Sequence, residues 1–422
     1  MSAEPTLRTS AATADPSAAP VRESQRIDAL DVLRGFAVLG ILTMNIGGFS
    51  MPEATYFDPT AWGSLTGANG WVWRITHLLA DLKFMAIFSM LFGAGIVLMS
   101  DRQKAKGRSA TGLHYKRMFW LLLFGLAHAH LIWYGDVLVW YAVVGSIVFF
   151  MRNRRPRTLL LAGATMLLLG WGIMGSVSLS WSSWPEADQT ELIAELKPPM
   201  EVKEAQVETY RSGWLAQLPS RSASATSMET ETLALWAFWR VSGLMMLGMG
   251  LFKLGVFSAT ASRRTYLTLL GLAAVVGLPL VAYGIRWQFA NEWVAPGFFF
   301  TGGLFNYAGS PFVALGWVSV VMLIIQSGAV RWLTDRLAAT GRMAFTNYIA
   351  QSVICTFIFY GHGLGLFGSV DRVGQAAIVL AVWAVQLAWS PWWLNRFHYG
   401  PLEWMWRSLV YGKAQRFQRG IA

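Results

Sequence analysis

The chain has one cysteine, Cys355, set inside an apolar run. A single thiol can form neither an intrachain disulfide nor a cysteine-based metal site, which excludes a disulfide scaffold and a zinc module. Charge is also scarce. Asp, Glu, Lys and Arg make up 14% of the 422 residues, against about a quarter in a soluble domain. Acids are fewer than bases, 23 against 34. The six histidines form no HExxH pair, so no metal motif is expected. The absence of a Gly-rich loop ending in Lys-Ser/Thr excludes P-loop ATP hydrolysis, and no G-x-S-x-G elbow is present. Residues 1–25 are rich in Ala, Ser, Thr and Pro and lack the apolar stretch of a signal peptide. They read as a disordered cytoplasmic tail, with the first helix itself directing insertion.

What the chain does have is apolar length: 55% of it is hydrophobic. A membrane crossing needs roughly 20 apolar residues. Such runs fall near 31–50, 76–99, 114–133, 137–151, 158–180, 232–256, 266–287, 311–328, 343–360 and 373–394. The expected fold is an all-α polytopic transmembrane bundle of about ten spans over residues 26–395. Residues 396–422 follow as an interfacial segment. With both termini cytoplasmic, the inside segments hold 23 of the 34 Lys and Arg and the outside segments six. That alternation is the positive-inside pattern. The net charge of +11 is therefore an orientation signal, and nucleic acid is not an expected partner. The one large loop, 181–230, lies outside in this scheme. Its apolar residues recur at helical spacing, as expected of short helices on the membrane face or over a cavity, although a plain interfacial loop fits as well.

Polar groups inside spans mark candidate sites, because unpaired they cost several kcal/mol. In "RIDALDVLRGFAVLGILTMNI" the residues Asp31, Arg34 and Asn45 project within roughly 60° of one another. An ion pair fixing helix depth and a polar passage both fit that stripe. In "WRITHLLADLKF", Arg74, His77 and Asp81 share a face. The carboxylate can orient the imidazole as a general base, and an interfacial cluster is the plainer alternative. In "FGLAHAHLIWYGDVL", His128 and His130 differ by about 200°, so only one can face the interior. Asp136 follows in a tight turn. His128 is a functional candidate or a satisfied structural histidine. "GRMAFTNYIAQS" puts Asn347 and Gln351 one turn apart after Arg342, placed to join helices or to bind a polar ligand. Arg240 and Lys253 sit at the two ends of the sixth span, where snorkelling to the interface is the plain reading. Glycines in "GLMMLGMGLFKLG" suit close helix packing. The polar groups gather at two poles, as in a pathway or split site through the bundle.

Five stretches in order, "LDVLRGFAVLGILTMNI", "KFMAIFSMLFGAG", "FGLAHAHLIWYGDVL", "GRMAFTNYIAQS" and "GPLEWMWRSLVYG", resemble the YeiB-like family of polytopic membrane proteins, a domain of unknown function. The resemblance implies a fold similar to transmembrane acyltransferases of the heparan-glucosaminide acetyltransferase type. Those enzymes pass an acyl group from cytoplasmic acyl-CoA to a sugar amine or hydroxyl on the far side. The likeness in the first helix is the arrangement of Arg34, Gly35 and Asn45. The catalytic histidine that follows in that enzyme group has no counterpart in the loop here. His128 with Asp136 matches the YeiB-like pattern and would take the base role. His77 and Asp81 lie outside it and rank second.

On this reading Asn45 stabilises the oxyanion, and Asp31, Arg34, Arg342, Asn347, Gln351 and Arg240 bind substrate. Acyl-CoA is a co-substrate and no cofactor is tightly bound. Membrane lipids and a sugar or lipid-linked acceptor are the expected partners, with a homodimer as the assembly. The location is the bacterial plasma (inner) membrane. Two other readings stand beside acyl transfer: a transporter of a lipid or small metabolite, and a noncatalytic scaffold or sensor.

Overall fold

Backbone amides in hydrocarbon must be satisfied within their own segment, so apolar runs of this length fold as helices. The computed structural model describes residues 28–293 and 301–419; the expected tail over 1–25 lies outside them. The helices are α1 (Asp28–Ser50), α2 (Ala54–Phe57), α3 (Gly67–Leu79), α4 (Lys83–Ala105), α5 (Thr111–Leu131), α6 (Leu138–Val148), α7 (Pro156–Ser180), α8 (Glu186–Leu196), α9 (Met200–Arg211), α10 (Leu218–Ser227), α11 (Phe238–Lys253), α12 (Arg263–Leu272), α13 (Leu278–Ala290), α14 (Gly303–Ser327), α15 (Arg331–Arg342), α16 (Ala344–Phe359), α17 (Arg372–Leu394) and α18 (Pro401–Tyr411). Wide π-helical turns join α10 to α11 and α12 to α13.

Among the described residues, seven helical stretches are long and apolar enough to cross a membrane: Asp28–Ser50, Gly67–Ala105, Pro156–Ser183, Leu218–Lys253, Arg263–Ala290, Gly303–Ser327 and Arg372–Leu394. The remaining expected spans coincide with shorter apolar helices, Leu138–Met151 and Ala344–Phe359, and with the more polar α5. The fold is thus an all-α bundle of an integral membrane protein. Its main core joins α1, α4, α6 and α11 through Leu33, Val38, Ile87, Met90, Tyr141, Leu244 and Met245. α4 and α11 meet backbone to backbone: a Cβ on Gly248 would strike the carbonyl of Met90, and one on Gly93 that of Met245. A second core around Phe49, Trp133, Tyr210, Tyr360 and Phe367 lies at the end that carries α9.

Four boundaries differ from the sequence expectation. The second span is not one helix over 76–99. It breaks at residues 80–82, where Leu82 has φ +62°, and the buried Lys83 ammonium takes the freed carbonyl of His77 at 2.7 Å. The sixth rod begins at Leu218 rather than 232, because α10 of the large loop runs on into it. The eighth span starts at Gly303 and contains Pro311 inside the helix. Proline frees the carbonyl four residues back, here that of Tyr307, which accepts from Arg240 Nη1 at 3.2 Å. Residues 329–342, expected as a connecting segment, contain α15 (Arg331–Arg342). Gly35 of α1 lies on the Leu337 carbonyl, and Gly341 lies on the Asp31 carbonyl.

Candidate functional site

α5 ends at Leu131, and the chain reverses through residues 132–137, bringing Asp136 back beside His128. His128 Nδ1 lies 2.7 Å from Asp136 Oδ1. The other oxygen, Oδ2, accepts from the Val139 N–H at 2.8 Å, in the first turn of α6. A carboxylate that only accepts puts the imidazole proton on Nδ1 and leaves the Nε2 lone pair free. The hydroxyl of Ser352, from the middle of α16, lies 2.9 Å from Nε2. Gly125, one turn before His128, leaves room for the Val139 backbone and the Asp136 carboxylate. Tyr348 forms a wall, its ring 5.3 Å from the imidazole. Ser352, His128 and Asp136 are all buried, at 1%, 2% and 3% exposure. Hydroxyl, imidazole and carboxylate are thus in series, the order in which a base takes a proton from a hydroxyl and an acid orients the base. Each would cost about 1–3 kcal/mol if left unpaired at this depth.

A second polar centre sits at the α3–α4 break. Asn306 of α14 donates to Asp81 Oδ2 at 2.7 Å and accepts from Lys83 Nζ at 2.7 Å. His77 Nδ1 is 3.3 Å from the same Asp81 oxygen, and Trp73 stacks on its ring. Arg74, expected on that face, instead lies over Phe289. Arg240 does not snorkel. It is fully buried, and its Nη2 donates to Ser310 at 2.6 Å. No hydrogen bond or ion pair among the described residues joins this centre to His128, so the single pole expected at this end is two clusters.

At the other end Asp31 and Arg34 pair at 2.6 Å. A cavity of about 490 Å³ opens beside them, lined by Asp28, Asp31, Arg331, Thr334, Asp335 and Arg342. Asn347 and Gln351 lie deeper, with their amide donors engaged in helix joints. Asn347 donates to the Thr340 carbonyl and to Ser390, both at 3.1 Å. Gln351 donates to the Val38 carbonyl at 3.0 Å and to Gln386 at 2.9 Å. Asn45 is half-buried, and its side chain makes no hydrogen bond among the described residues. No group of three or more His, Cys, Asp or Glu there could hold a metal ion.

Sequence reasoning missed Ser352, Lys83 and Asn306. Ser352 follows Gln351 in a quoted motif, yet a serine in an apolar helix gives little signal. Lys83 carried a stronger one, a cation two residues after Asp81 at the head of an apolar run.

The family described as "Protein of unknown function (DUF418)" matches residues 251–413. "Uncharacterized protein YeiB" of Escherichia coli K12 is 32% identical over 393 residues, covering 90% of this chain and 95% of that protein. "Uncharacterized protein YxaH" of Bacillus subtilis 168 is 31% identical over 411 residues, covering 93% and 96%. A 39.9 kDa protein encoded 3′ of an amylase in Bacillus acidopullulyticus is 24% identical over 409 residues, covering 93% and 96%.

Proposed function

The chain belongs to the YeiB-like DUF418 family, and from that premise and the geometry at His128 we propose that it is an acyl-CoA-dependent acyltransferase of the bacterial inner membrane. The observation that carries this reading is the buried Ser352–His128–Asp136 series. His128 Nε2 accepts the Ser352 proton as Oγ bonds the thioester carbon. The C–S bond breaks, and the coenzyme A thiolate leaves with that proton. An acceptor hydroxyl or amine from the outer side then displaces Ser352 by the reverse path. Asp136 holds the imidazole through Nδ1. The cavity by Arg342 faces the cytoplasm in this scheme and receives the acyl-CoA.

The test is incubation of the full chain in nanodiscs with isotopically labelled acyl-CoAs, followed by assay of free thiol and of labelled Ser352 by mass spectrometry. Release of coenzyme A and a Ser352 adduct are expected. Loss of a base typically costs 10²–10⁴-fold, and His128→Ala should show a drop of about that size with the fold retained. Thiol release without a serine adduct would leave His128 acting directly on the acceptor. No release with any chain length, or full turnover in His128→Ala, would end the proposal.

One observation favours a second reading, transport. The α3–α4 break carries Lys83, Asp81 and Asn306 at a discontinuous helix, the kind of place where transporters bind substrates. Uptake into proteoliposomes with no thiol release would select it.

A further inference from the structure

Arg221 of α10 has a fully buried side chain. Its Nε donates to the His130 carbonyl at 2.9 Å, and the Trp214 ring lies 5.4 Å from the guanidinium carbon. The terminal nitrogens Nη1 and Nη2 have no hydrogen-bond partner. Two idle guanidinium arms inside a protein are costly, since a buried charge needs pairing. They are not alone. The Tyr360 hydroxyl and Gln217 Oε1 are also buried without partners. Tyr210 ties the group together. Its ring is 4.9 Å from that of Tyr360, its carbonyl accepts from Gln217 Nε2 at 3.0 Å, and both tyrosines lie within electrostatic reach of Arg221. The Tyr210 hydroxyl points the other way, donating to Glu53 Oε1 at 3.4 Å. Burial raises the Glu53 carboxyl above the usual range.

The idle groups have a definite chemistry. Two terminal guanidinium nitrogens form the fork that matches two oxygens of one carboxylate or phosphate. The phenol adds a third donor. The one idle acceptor, Gln217 Oε1, suits a hydroxyl on the same ligand. We propose that Arg221, Tyr360 and Gln217 form a binding site for the phosphate or carboxylate group of a hydroxylated ligand that enters beneath α9 and α10. The site lies at the His128 end of α5, since the carbonyl that holds Arg221 is only two residues beyond that imidazole. As the anchor of an acyl acceptor it rests on the acyl-transfer reading. As an oxyanion site it stands alone, and its test reads binding rather than turnover.

The experiment is thermal unfolding of the full chain in phosphate- and sulfate-free buffer, in micelles of dodecyl maltoside, which carry no phosphate. Glycerol 3-phosphate, glucuronate or micelles containing phosphatidylglycerol supply the oxyanion. The expected result is a rise in Tm in at least one arm. A response to the soluble compounds assigns a free ligand, and a response to phosphatidylglycerol alone assigns a lipid headgroup. Arg221→Met fills the stem's volume without idle donors. It should match or exceed the wild type without ligand and fall below it with ligand. Tyr360→Phe should leave the ligand-free Tm unchanged and raise the ligand concentration needed for a given rise in Tm about fivefold, as for one lost hydrogen bond. No response in any arm, or an Arg221→Met loss that is equal with and without ligand, would overturn the site. An oxyanion response without coenzyme A release would remove the acyl-transfer reading alone.

Discussion

Glu403 ties the C-terminal helix α18 to the bundle through one carboxylate. Oε1 accepts from the backbone N–H groups of Phe345 at 2.7 Å and Thr346 at 3.0 Å, and Oε2 accepts from the Thr346 hydroxyl at 2.5 Å. These are the open donors of the α16 N-terminus, capped from another element. Desolvation still outweighs those bonds and raises the Glu403 pKa. A group whose folded value is raised gives its full stability below the unfolded pKa and loses it as pH climbs through the folded value. The wild type should therefore be most stable relative to Glu403→Gln at acid pH. It should lose ground as pH rises from the ordinary glutamate range through the raised value. Glu403→Ala should cost about 1–3 kcal/mol at every pH by stranding the two N–H groups. Thermal unfolding across pH checks both, and parallel curves for wild type and Glu403→Gln would sink the pH argument. At this scale legibility follows contrast. His128 and Asp136 stand out because ionisable groups are rare in apolar runs. Ser352 and Arg221 did not, because what singles them out is a partner 224 residues away or the lack of one.

At the scale of the helix, close approach decides more than apolar content. α1 and α15 cross with Gly35 against the Leu337 carbonyl and Gly341 against the Asp31 carbonyl. The glycines in the "LRG" and "TGR" stretches thus hold the α15 end, with Arg342, beside the Asp31–Arg34 pair. A methyl group at Gly35 would meet backbone, which cannot swing aside as a side chain would. Gly35→Ala should destabilise by about 1–3 kcal/mol, the usual cost of overpacking. Gly47→Ala, with nothing near its Cβ position, should be neutral on the same thermal-unfolding scale. Equal melting of the two variants would mean that the crossing is not tight. The positions of nearly all the long helices could be read from apolar runs. The break at residues 80–82 could not, because neither glycine nor proline marks it. What maintains it is the link from Lys83 and Asp81 to Asn306, far along the chain. Pro311 misled in the opposite direction. It reads as a helix start, yet the helix continues through it because Arg240 and Ser310 take up the Tyr307 carbonyl.

For the whole molecule, the uneven distribution of basic residues gives an expected sidedness. With 23 of 34 Lys and Arg on one side of a ten-span scheme and six on the other, the positive-inside rule predicts residues 181–230 outside and the C-terminal segment in the cytoplasm. The proposed chemistry depends on that arrangement. The cavity by Arg342 must face the compartment that holds acyl-CoA, and the Arg221 site beneath α9 and α10 must face the acceptor. The protein offers a clean way to check it, because its one thiol, Cys355, is fully buried and gives no background to a maleimide. Glu191→Cys in α8 and Lys413→Cys after α18 place single thiols at exposed positions. In intact cells with a permeable outer envelope, a membrane-impermeant maleimide should label the first and not the second. Disrupting the membrane should make the second equally reactive. Labelling in the reverse order would invert the bundle and turn the Arg342 cavity away from the acyl-CoA pool. Labelling of both in intact cells would put an even number of crossings between α8 and α18 in place of the five of the ten-span scheme, a change that falls most naturally on α16, at 16 residues the shortest continuous helical rod among those five.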